Sequence, residues 1–239
     1  MESILILHGW GGSSKSWQKV KSNLESKGHK VFCPDLPGFG QEKSPSVAWD
    51  VSDYVNWVLS FIQKQNLGEF FLLGHSFGGR IAIKLSALHS GKTKGLILVD
   101  PAGINREKNW NIRQRILVKI KNIFYFFMAL PGLRFFFRLF RKVIYRFAGV
   151  KDYYRIKDEV MKETFKKVIA EDLLNYVSCI KDKTLIVWGR KDKLVPVSTA
   201  FVLKENIPIS TLEIIENIGH NPHLECPDKL SDIIIKFLA

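Results

Sequence analysis

The sequence predicts an α/β fold in which a mostly parallel sheet of about six strands carries helices on both faces. Short apolar runs rich in β-branched residues recur along the chain, bounded by Gly, Pro or Asp, and stretches with helical periodicity separate them. Such alternation is typical of parallel strands joined by crossover helices. With 239 residues, 46% hydrophobic and 25% charged, the chain can bury one large core, which excludes wholesale disorder.

The predicted elements follow one another in a regular rhythm that is broken once. The apolar runs predicted as strands are 4–7, 30–33, 70–73, 96–99, 185–188 and 212–215. The segments with helical periodicity are 16–26, 52–65, 77–90, 199–205 and 227–237. More than 80 residues separate the fourth run from the fifth, which is too many for a simple crossover helix. We therefore expect a single domain whose core, 1–103 and 176–239, is interrupted by a helical cap at 104–175.

The expected cap carries most of the net charge. It holds 17 Lys or Arg and 7 Asp or Glu, which is +10 of the total +13. Arg134, Arg138 and Arg146 alternate with Phe and Tyr at helical spacing, so one side of such a helix is cationic and another is apolar. A solvated outer surface is the simplest interpretation. An acyl substrate on an anionic carrier and an anionic membrane surface stay open as partners of this basic cap, whereas no nucleic acid is expected, because no recognised binding module accompanies the charge.

Cysteine usage and the length of the apolar runs predict a cytoplasmic protein. Cys33, Cys179 and Cys226 are far apart, odd in number and fit no metal-ligand spacing, which favours reduced thiols. No basic and apolar export signal opens the chain. The longest uncharged run, 122–133, is shorter than the roughly 20 apolar residues of a membrane-spanning helix. Peripheral attachment to a membrane through the basic cap remains an alternative.

The most informative segment is Gly74-His75-Ser76-Phe77-Gly78, which lies between a predicted strand and a predicted helix. In this context Gly-x-Ser-x-Gly is typical of a nucleophile elbow: the serine occupies a strained turn, and the glycines remove side chains that would collide around it. An incidental serine in a glycine-rich turn is the alternative, and the flanking strand and helix favour the elbow. The pattern therefore predicts Ser76 as a catalytic nucleophile.

A serine hydroxyl is a weak nucleophile, so Ser76 requires a base that is itself oriented by an acid. Asp192 lies in the loop after the run 185–188, and His220 lies in the loop after the last run. This is the chain order of acid and base that accompanies a nucleophile elbow. Asp192 is thus the predicted acid and His220 the predicted base. Asp100 is the competing acid, since it also ends a strand, although it leads directly into the insertion.

A metal site formed by His220, His223 and Glu225 is an alternative interpretation of this segment. The spacing His-x-x-His permits ligation, but Pro222 favours a tight loop followed by the start of a helix. No metal and no cofactor are therefore expected.

The oxyanion of an acyl-transfer reaction needs backbone N–H donors. The residue after the nucleophile, Phe77, provides one, and the glycine-rich loop after the first strand is expected to provide the other from Trp10. A phosphate-binding turn is the alternative for this loop, but the spacing lacks both a P-loop lysine and the full dinucleotide pattern. His8 and His75 stand beside glycines in the two loops and are expected to support loop geometry.

Five motifs in order resemble the α/β-hydrolase superfamily: Leu7-His8-Gly9-Trp10-Gly11, Asp35-Leu36-Pro37-Gly38-Phe39-Gly40, the elbow at Ser76, Trp188-Gly189-Arg190-Lys191-Asp192 and Gly219-His220. The resemblance covers 3–103 and about 180–239, and implies a Ser76-Asp192-His220 triad beneath a helical cap. It is nearest to small capped serine esterases and carbon-carbon bond hydrolases. Haloalkane dehalogenases and epoxide hydrolases have this fold with aspartate at the elbow, so the serine argues against them.

One departure concerns the start of the sheet. Relatives usually have two antiparallel strands before the His-Gly loop, which here begins at residue 8. About six strands rather than eight are therefore expected, unless further strands precede the sequence given.

The resemblance implies a serine hydrolase that cleaves carboxylic esters through an acyl-enzyme intermediate. The first two motifs resemble those of esterases that release pimeloyl groups from acidic carrier proteins. The expected substrate is a small-molecule or acyl ester. A carbon-carbon bond hydrolase acting on a vinylogous diketone acid is the alternative enzyme. A non-catalytic binding module on the same fold is the alternative from another class.

Overall fold

The computed structural model describes residues 1–104 and 156–239, and the sheet in this part of the chain confirms the predicted α/β fold with about six strands. The strands are β1 (Ser3–Leu7), β2 (Lys30–Phe32), β3 (Phe71–His75), β4 (Gly95–Val99), β5 (Thr184–Gly189) and β6 (Ser210–Ile215). Their order across the sheet is β2-β1-β3-β4-β5-β6, and each neighbouring pair is parallel. All carboxyl ends of the strands therefore meet at one edge.

The helices of the described residues are numbered here in chain order. They are α1 (Gln18–Ser26), α2 (Val51–Lys64), α3 (Phe77–Leu88), α4 (Glu159–Ala170), α5 (Leu174–Val177), α6 (Ser198–Asn206), α7 (Pro222–Glu225) and α8 (Pro227–Leu238). The predicted helix over 16–26 begins as a 3₁₀ turn, Ser14–Trp17, before α1. A reciprocal capping box between Asp50 and Asp53 sets the start of α2.

The central strands are buried on both faces, as a parallel sheet requires. On one face, alternate residues such as Ile97 and Val99 pack in a core with Trp17 and with Ile234 of α8. On the other face α3 approaches β3 closely: a Cβ atom at Gly74 would lie 2.7 Å from the Cβ of Ala82. The sheet is therefore a rigid support for the loops at its carboxyl edge.

Glycine is required where α3 passes the end of β1. A Cβ atom at Gly78 would lie 2.1 Å from the carbonyl oxygen of Leu7, which is backbone and cannot move aside cheaply. The Gly78 N–H donates a hydrogen bond to the carbonyl oxygen of His8 at 3.1 Å. This contact joins the start of α3 to the loop after β1.

The segment around α4 and α5 is anchored on α3. Arg80 is buried, and its Nη1 donates to the carbonyl oxygens of Val168 and Glu171, both at 2.9 Å, at the end of α4. Burial lowers the pKa of Arg80 to about 10, although the Glu171 carboxylate opposes the shift. Lys84 forms an ion pair with the same carboxylate. Basic groups of α3 thus satisfy orphan carbonyls at a helix end.

The compact unit that contains the sheet comprises Met1–Ile104 and Asp158–Ala239. The predicted cap at 104–175 and its basic aromatic stretch fall largely on 105–155, outside the described residues, so the core and cap boundaries stay predictions. Among the described residues, no helix is long and apolar enough to cross a membrane. Cys33, Cys179 and Cys226 are free thiols.

Replacing Gly78 with alanine is expected to destabilise the fold by about 1–3 kcal/mol, because the new methyl group overlaps the Leu7 carbonyl oxygen. Thermal unfolding measures the effect. Gly68→Ala is the matched control, since a Cβ atom there meets nothing within 4 Å. Equal melting temperatures for the two variants would contradict the required close approach.

Candidate active site

Ser76 occupies a strained turn between β3 and α3. Its φ of 52° and ψ of −109° lie where residues other than glycine are rare. Hydrogen bonds hold the turn on both sides: the Ser76 N–H donates to the Val99 carbonyl oxygen at 3.2 Å, and the Ser76 carbonyl oxygen accepts from the N–H of Ala102 at 3.1 Å. The backbone around the predicted nucleophile is therefore firmly held.

A continuous hydrogen-bond chain joins the three predicted triad residues. His220 Nε2 lies 2.9 Å from Ser76 Oγ, and His220 Nδ1 lies 2.6 Å from Asp192 Oδ2. With Asp192 ionised, its carboxylate can only accept, so Nδ1 carries the proton and Nε2 is left to accept from the serine hydroxyl. The structure thus brings Ser76, His220 and Asp192 together in the order that sequence analysis predicts.

Asp192 is held in place by several hydrogen bonds. Its side chain is fully buried, and its Oδ1 accepts from the N–H groups of Leu194 at 2.7 Å and Val195 at 2.9 Å. Together with His220 these donors supply three hydrogen bonds to the carboxylate, and such bonds favour the charged form. The turn after β5 therefore orients Asp192 towards the histidine.

Two residues that sequence analysis did not assign to the triad's support hold the His220 loop. Glu225 Oε2 accepts from the Gly219 N–H at 2.8 Å, and its Oε1 accepts from the Asn221 N–H at 3.1 Å, so one carboxylate brackets His220 on both sides. His75 Nε2 donates to the His220 carbonyl oxygen at 2.8 Å. An acid in the short helix that follows the histidine loop is the sequence signal for Glu225. For His75 the only signal is its place in the elbow.

The loop after β1 lies against Ser76. A Cβ atom at Gly9 would lie 3.3 Å from the Ser76 Cβ and 2.9 Å from His75 Nδ1, so only glycine permits this approach. Trp10 follows in the same loop, and Phe77 follows Ser76 in the chain. Neither backbone N–H has a hydrogen-bond partner within the described ranges, 1–104 and 156–239. Both predicted oxyanion donors are therefore unengaged near the elbow.

His8 connects this loop to the turn at 35–40. Its Nε2 accepts from the Leu36 N–H at 2.9 Å, so its Nδ1 carries the proton and donates to the Gly9 carbonyl oxygen at 2.8 Å. Burial lowers the pKa of His8 below its usual value. The neutral imidazole thus joins the two loops through its two hydrogen bonds, as expected from the sequence, and is not positioned as a base.

Asp35 holds the same region from the other side. Burial alone would raise its pKa, but hydrogen bonds from the backbone N–H groups of Ser14 at 2.6 Å and Gln41 at 2.8 Å lower it overall. The carboxylate therefore stays ionised and joins the turn at 35–40 to the loop after β1.

Asp100, the competing acid, does not contact the histidine as a hydrogen-bond partner. The Nδ1 of His220 bonds to Asp192, and Asp100 Oδ1 instead accepts from the Gly189 N–H at 2.9 Å. Asp100 is fully buried and has a φ of 42°. Asp192 therefore has the position of the triad acid, and Asp100 lies behind it.

A cluster of aromatic rings adjoins His220 through His75. The His75 ring centroid lies 5.1 Å from that of His220 and 4.6 Å from that of His223, whose ring stacks on Trp17 at 4.5 Å. Burial, followed by the neighbouring imidazoles, lowers the pKa of His75 well below 6.5 and that of His223 to about 4. At neutral pH these two rings are therefore uncharged and place no positive charge beside His220.

The same side chains include a geometric candidate for a metal site. Potential ligand atoms of Asp100, Asp192 and His220 lie within 4.8 Å of one another. Both nitrogens of His220 are, however, engaged with Ser76 and Asp192. In the alternative set weighed from the sequence, Glu225 is engaged with backbone N–H groups. These contacts suit proton transfer along a hydrogen-bond chain.

Aromatic side chains form a wall beside the predicted oxyanion donors. The Trp10 ring lies edge-on to Phe39 at 4.9 Å, Phe77 at 5.1 Å and Phe165 of α4 at 5.0 Å. Tyr54 of α2 packs edge-on against Phe77 at 4.9 Å from behind. This apolar wall suits an acyl chain better than a charged group.

Acid is expected to destabilise the protein through the buried histidines. Because the folded-state pKa of His223 is depressed to about 4, its stabilising contribution is complete above about 6.5 and is lost as pH falls towards 4. His223→Phe keeps a ring on Trp17 but cannot take up a proton, so between pH 6.5 and pH 4.5 its melting temperature should fall less than that of the wild type, by roughly 5 °C. Thermal unfolding across this range tests it, with His89→Phe as a control outside the cluster. Identical acid profiles for wild type and His223→Phe would contradict the expectation.

Comparison with known proteins adds a family to this geometry. A family model described as the alpha/beta hydrolase fold matches residues 2–227. Human monoacylglycerol lipase ABHD6 is 28% identical over 254 residues, covering 99% of this chain and 75% of its own length. Lipase 1 of Psychrobacter immobilis is 28% identical over 244 residues, covering 97% of this chain and 75% of its own length.

A solved structure shares the fold. The esterase EaEST from Exiguobacterium antarcticum superposes with a TM-score of 0.76 at 23% identity, covering 100% of this chain and 92% of that one. The family match spans the sheet, the elbow and the loops that carry Asp192 and His220. The chain therefore belongs to the α/β-hydrolase family and is a hydrolase.

Proposed function

We propose that the protein cleaves carboxylic esters through an acyl-enzyme intermediate, with Ser76 as nucleophile, His220 as general base and Asp192 as the acid that orients the base. The observation that carries the proposal is the hydrogen-bond chain from Ser76 Oγ through the His220 ring to the buried Asp192 carboxylate. The relatives named as lipases, and their coverage of nearly the whole chain, support ester hydrolysis.

In the first step the Ser76 oxygen attacks the ester carbonyl carbon while its proton passes to His220 Nε2. The protonated His220 then gives this proton to the departing alkoxide, so that the alcohol leaves and the acyl group stays on Ser76. In the second step His220 takes a proton from water, whose oxygen attacks the acyl carbon. The proton returns to Ser76 as the carboxylic acid leaves. Asp192 holds His220 in the required tautomer and stabilises its charged form throughout.

The negative oxygen of the tetrahedral intermediate requires donors that are already in place. We assign this role to the backbone N–H groups of Trp10 and Phe77. The close approach of Gly9 to Ser76 and the unengaged state of both N–H groups in the described residues support the assignment.

The acyl part of the substrate is proposed to be apolar. The aromatic wall formed by Trp10, Phe39, Phe77 and Phe165 borders the oxyanion donors, and a wall of this kind favours hydrocarbon over charge. A lipid-like ester fits both this wall and the names of the lipase relatives. A carbon-carbon bond hydrolase would need a carboxylate-binding site, for which sequence analysis offered only cap arginines outside the described residues.

Cytoplasmic location is part of the proposal, supported by three free cysteines, which are typical of proteins in a reducing compartment. Recruitment of an anionic carrier or membrane surface by the basic cap also remains a proposal, since Arg134, Arg138 and Arg146 lie outside the described residues.

Substituting Ser76 with alanine should reduce hydrolysis of p-nitrophenyl esters by at least about a thousandfold and leave the melting temperature nearly unchanged, because the hydroxyl is needed for covalent chemistry. Release of p-nitrophenol from esters of increasing acyl length provides the measurement. A serine-directed phosphonate should label the wild type and fail to label this variant. Ser60→Ala, which removes an exposed hydroxyl on α2, is the matched control. Undiminished turnover or labelling in Ser76→Ala would refute the proposed function.

Removing the Glu225 carboxylate, which binds the backbone on both sides of His220, should lower kcat while KM changes little. The reason is that Glu225 contacts the histidine loop and not the substrate. We expect Glu225→Ala to lose about tenfold to a hundredfold in kcat and Glu225→Gln, which keeps one acceptor, to lose less. Steady-state kinetics on the same esters measures both. Glu216→Gln is the control, since Glu216 pairs with Arg190 at the surface. Wild-type kcat in Glu225→Ala would contradict this role.

A further inference from the structure

A second buried carboxyl group, that of Asp100, adjoins the hydrogen-bond chain and has no part in the reaction described above. Its backbone N–H donates to the Val187 carbonyl oxygen at 3.0 Å, and its Oδ1 accepts from the Gly189 N–H at 2.9 Å. Its Oδ2 is buried and accepts no hydrogen bond from the described residues. The left-handed φ of 42° shows that the fold holds this side chain in place at a conformational cost.

The Asp100 carboxyl lies next to the triad acid. One of its oxygens, one Asp192 oxygen and one His220 ring nitrogen all lie within 4.8 Å of one another. Both aspartate side chains are fully buried. Two carboxylates this close in a poorly solvated site repel each other strongly when both are ionised, which favours a proton on one of them.

The hydrogen bonds decide which carboxyl keeps the proton. Asp192 accepts from Leu194, Val195 and His220, whereas Asp100 accepts from Gly189 alone. The charged form is therefore better stabilised at Asp192. Burial raises the pKa of Asp100 to about 9, opposed by the Gly189 N–H and reinforced by the charges of Asp192 and Glu225.

We propose that Asp100 is a positioning residue that stays protonated at neutral pH and donates its O–H to the Asp192 carboxylate, so that Asp192 is held towards His220. The catalytic part of this proposal rests on the proposed function. Asp100 touches neither the substrate nor the reacting atoms. It acts through Asp192, to which it supplies a fourth donor, while its other oxygen binds β5 through Gly189.

The arrangement predicts an alkaline limit to activity. The titratable groups that face Asp100 are Asp192, His220, Glu225 and Cys226. When Asp100 ionises at high pH, its donor is lost and a second negative charge appears beside Asp192. The acid that orients His220 is then repelled from its position.

Two substitutions at Asp100 test whether its carboxyl group is protonated or ionised. Asp100→Asn retains an acceptor for Gly189 and a donor for Asp192, and asparagine tolerates positive φ. Asp100→Ala loses both groups. On esters at pH 7.5 we expect the Asn variant to stay within about threefold of wild-type kcat, and the Ala variant to lose about tenfold or more. The Asn variant should also keep its activity above pH 9. Asp182→Asn is the control, because Asp182 is buried at the opposite end of β5 with Ser86 as partner. If the Asn variant is as impaired as the Ala variant, a charged Asp100 is required and the proposal fails.

A second arm needs no substrate. A carboxyl whose pKa rises from 3.8 when unfolded to about 9 when folded stabilises the fold at low pH and loses this contribution as pH rises through that range. Between pH 7 and pH 9 the melting temperature of Asp100→Asn should therefore fall less than that of the wild type, and at pH 8 it should be higher. If the melting temperatures of the wild type and of Asp100→Asn change identically with pH, the proposal that Asp100 is protonated fails. This arm stands even if Ser76→Ala disproves ester hydrolysis, so failure of the proposed function is distinguishable from failure of this inference.

Discussion

Backbone contact between the start of α3 and the end of β1 is the constraint on which the rest of the site depends. Gly78 leaves no room for a side chain beside the Leu7 carbonyl oxygen, and its N–H bonds to His8. Because α3 can approach this closely, it begins directly beyond β3, and the connecting residue, Ser76, has to take up a strained positive φ. The same contact brings the loop of Gly9 and Trp10 against the serine. The proposed nucleophile and the proposed oxyanion donors thus have a common structural origin.

Electrostatics at the carboxyl edge of the sheet follow from the scarcity of water there. His8, His75 and His223 are buried with lowered pKa values and so remain neutral near pH 7. Asp192 accepts hydrogen bonds from three donors, of which His220 is one. Under our proposal Asp100 keeps its proton for the complementary reason, since it has one donor and a charged neighbour. A single negative charge, that of Asp192, then faces the His220 ring. A base that activates a serine nucleophile requires such a partner.

The sequence was most informative where local chemistry and element order decide the structure. Six apolar runs correspond to the six described strands, and their ends differ by at most two residues from those observed. The motif around Ser76 and the positions of Asp192 and His220 after strands indicated the residues that the structure then brings together. Sequence analysis assigned no loop-clasping role to Glu225. Its two acceptors meet the backbone on either side of His220 only after the chain folds back on itself, so its place after the histidine loop did not by itself identify its partners.

The sequence alone determined the parallel α/β fold, the serine at the elbow and the family of this chain. These depend on periodicity, turn chemistry and motif order. The sequence already favoured Asp192 as the acid, because Asp100 leads directly into the insertion, but both residues follow strands. Only the tertiary structure shows which of the two carboxylates contacts His220. The distance from Asp192 to His220, and the single donor left to Asp100, arise from how β4, β5 and the histidine loop pack together. Charge placement in a buried site is a property of three-dimensional neighbours, which linear order does not specify.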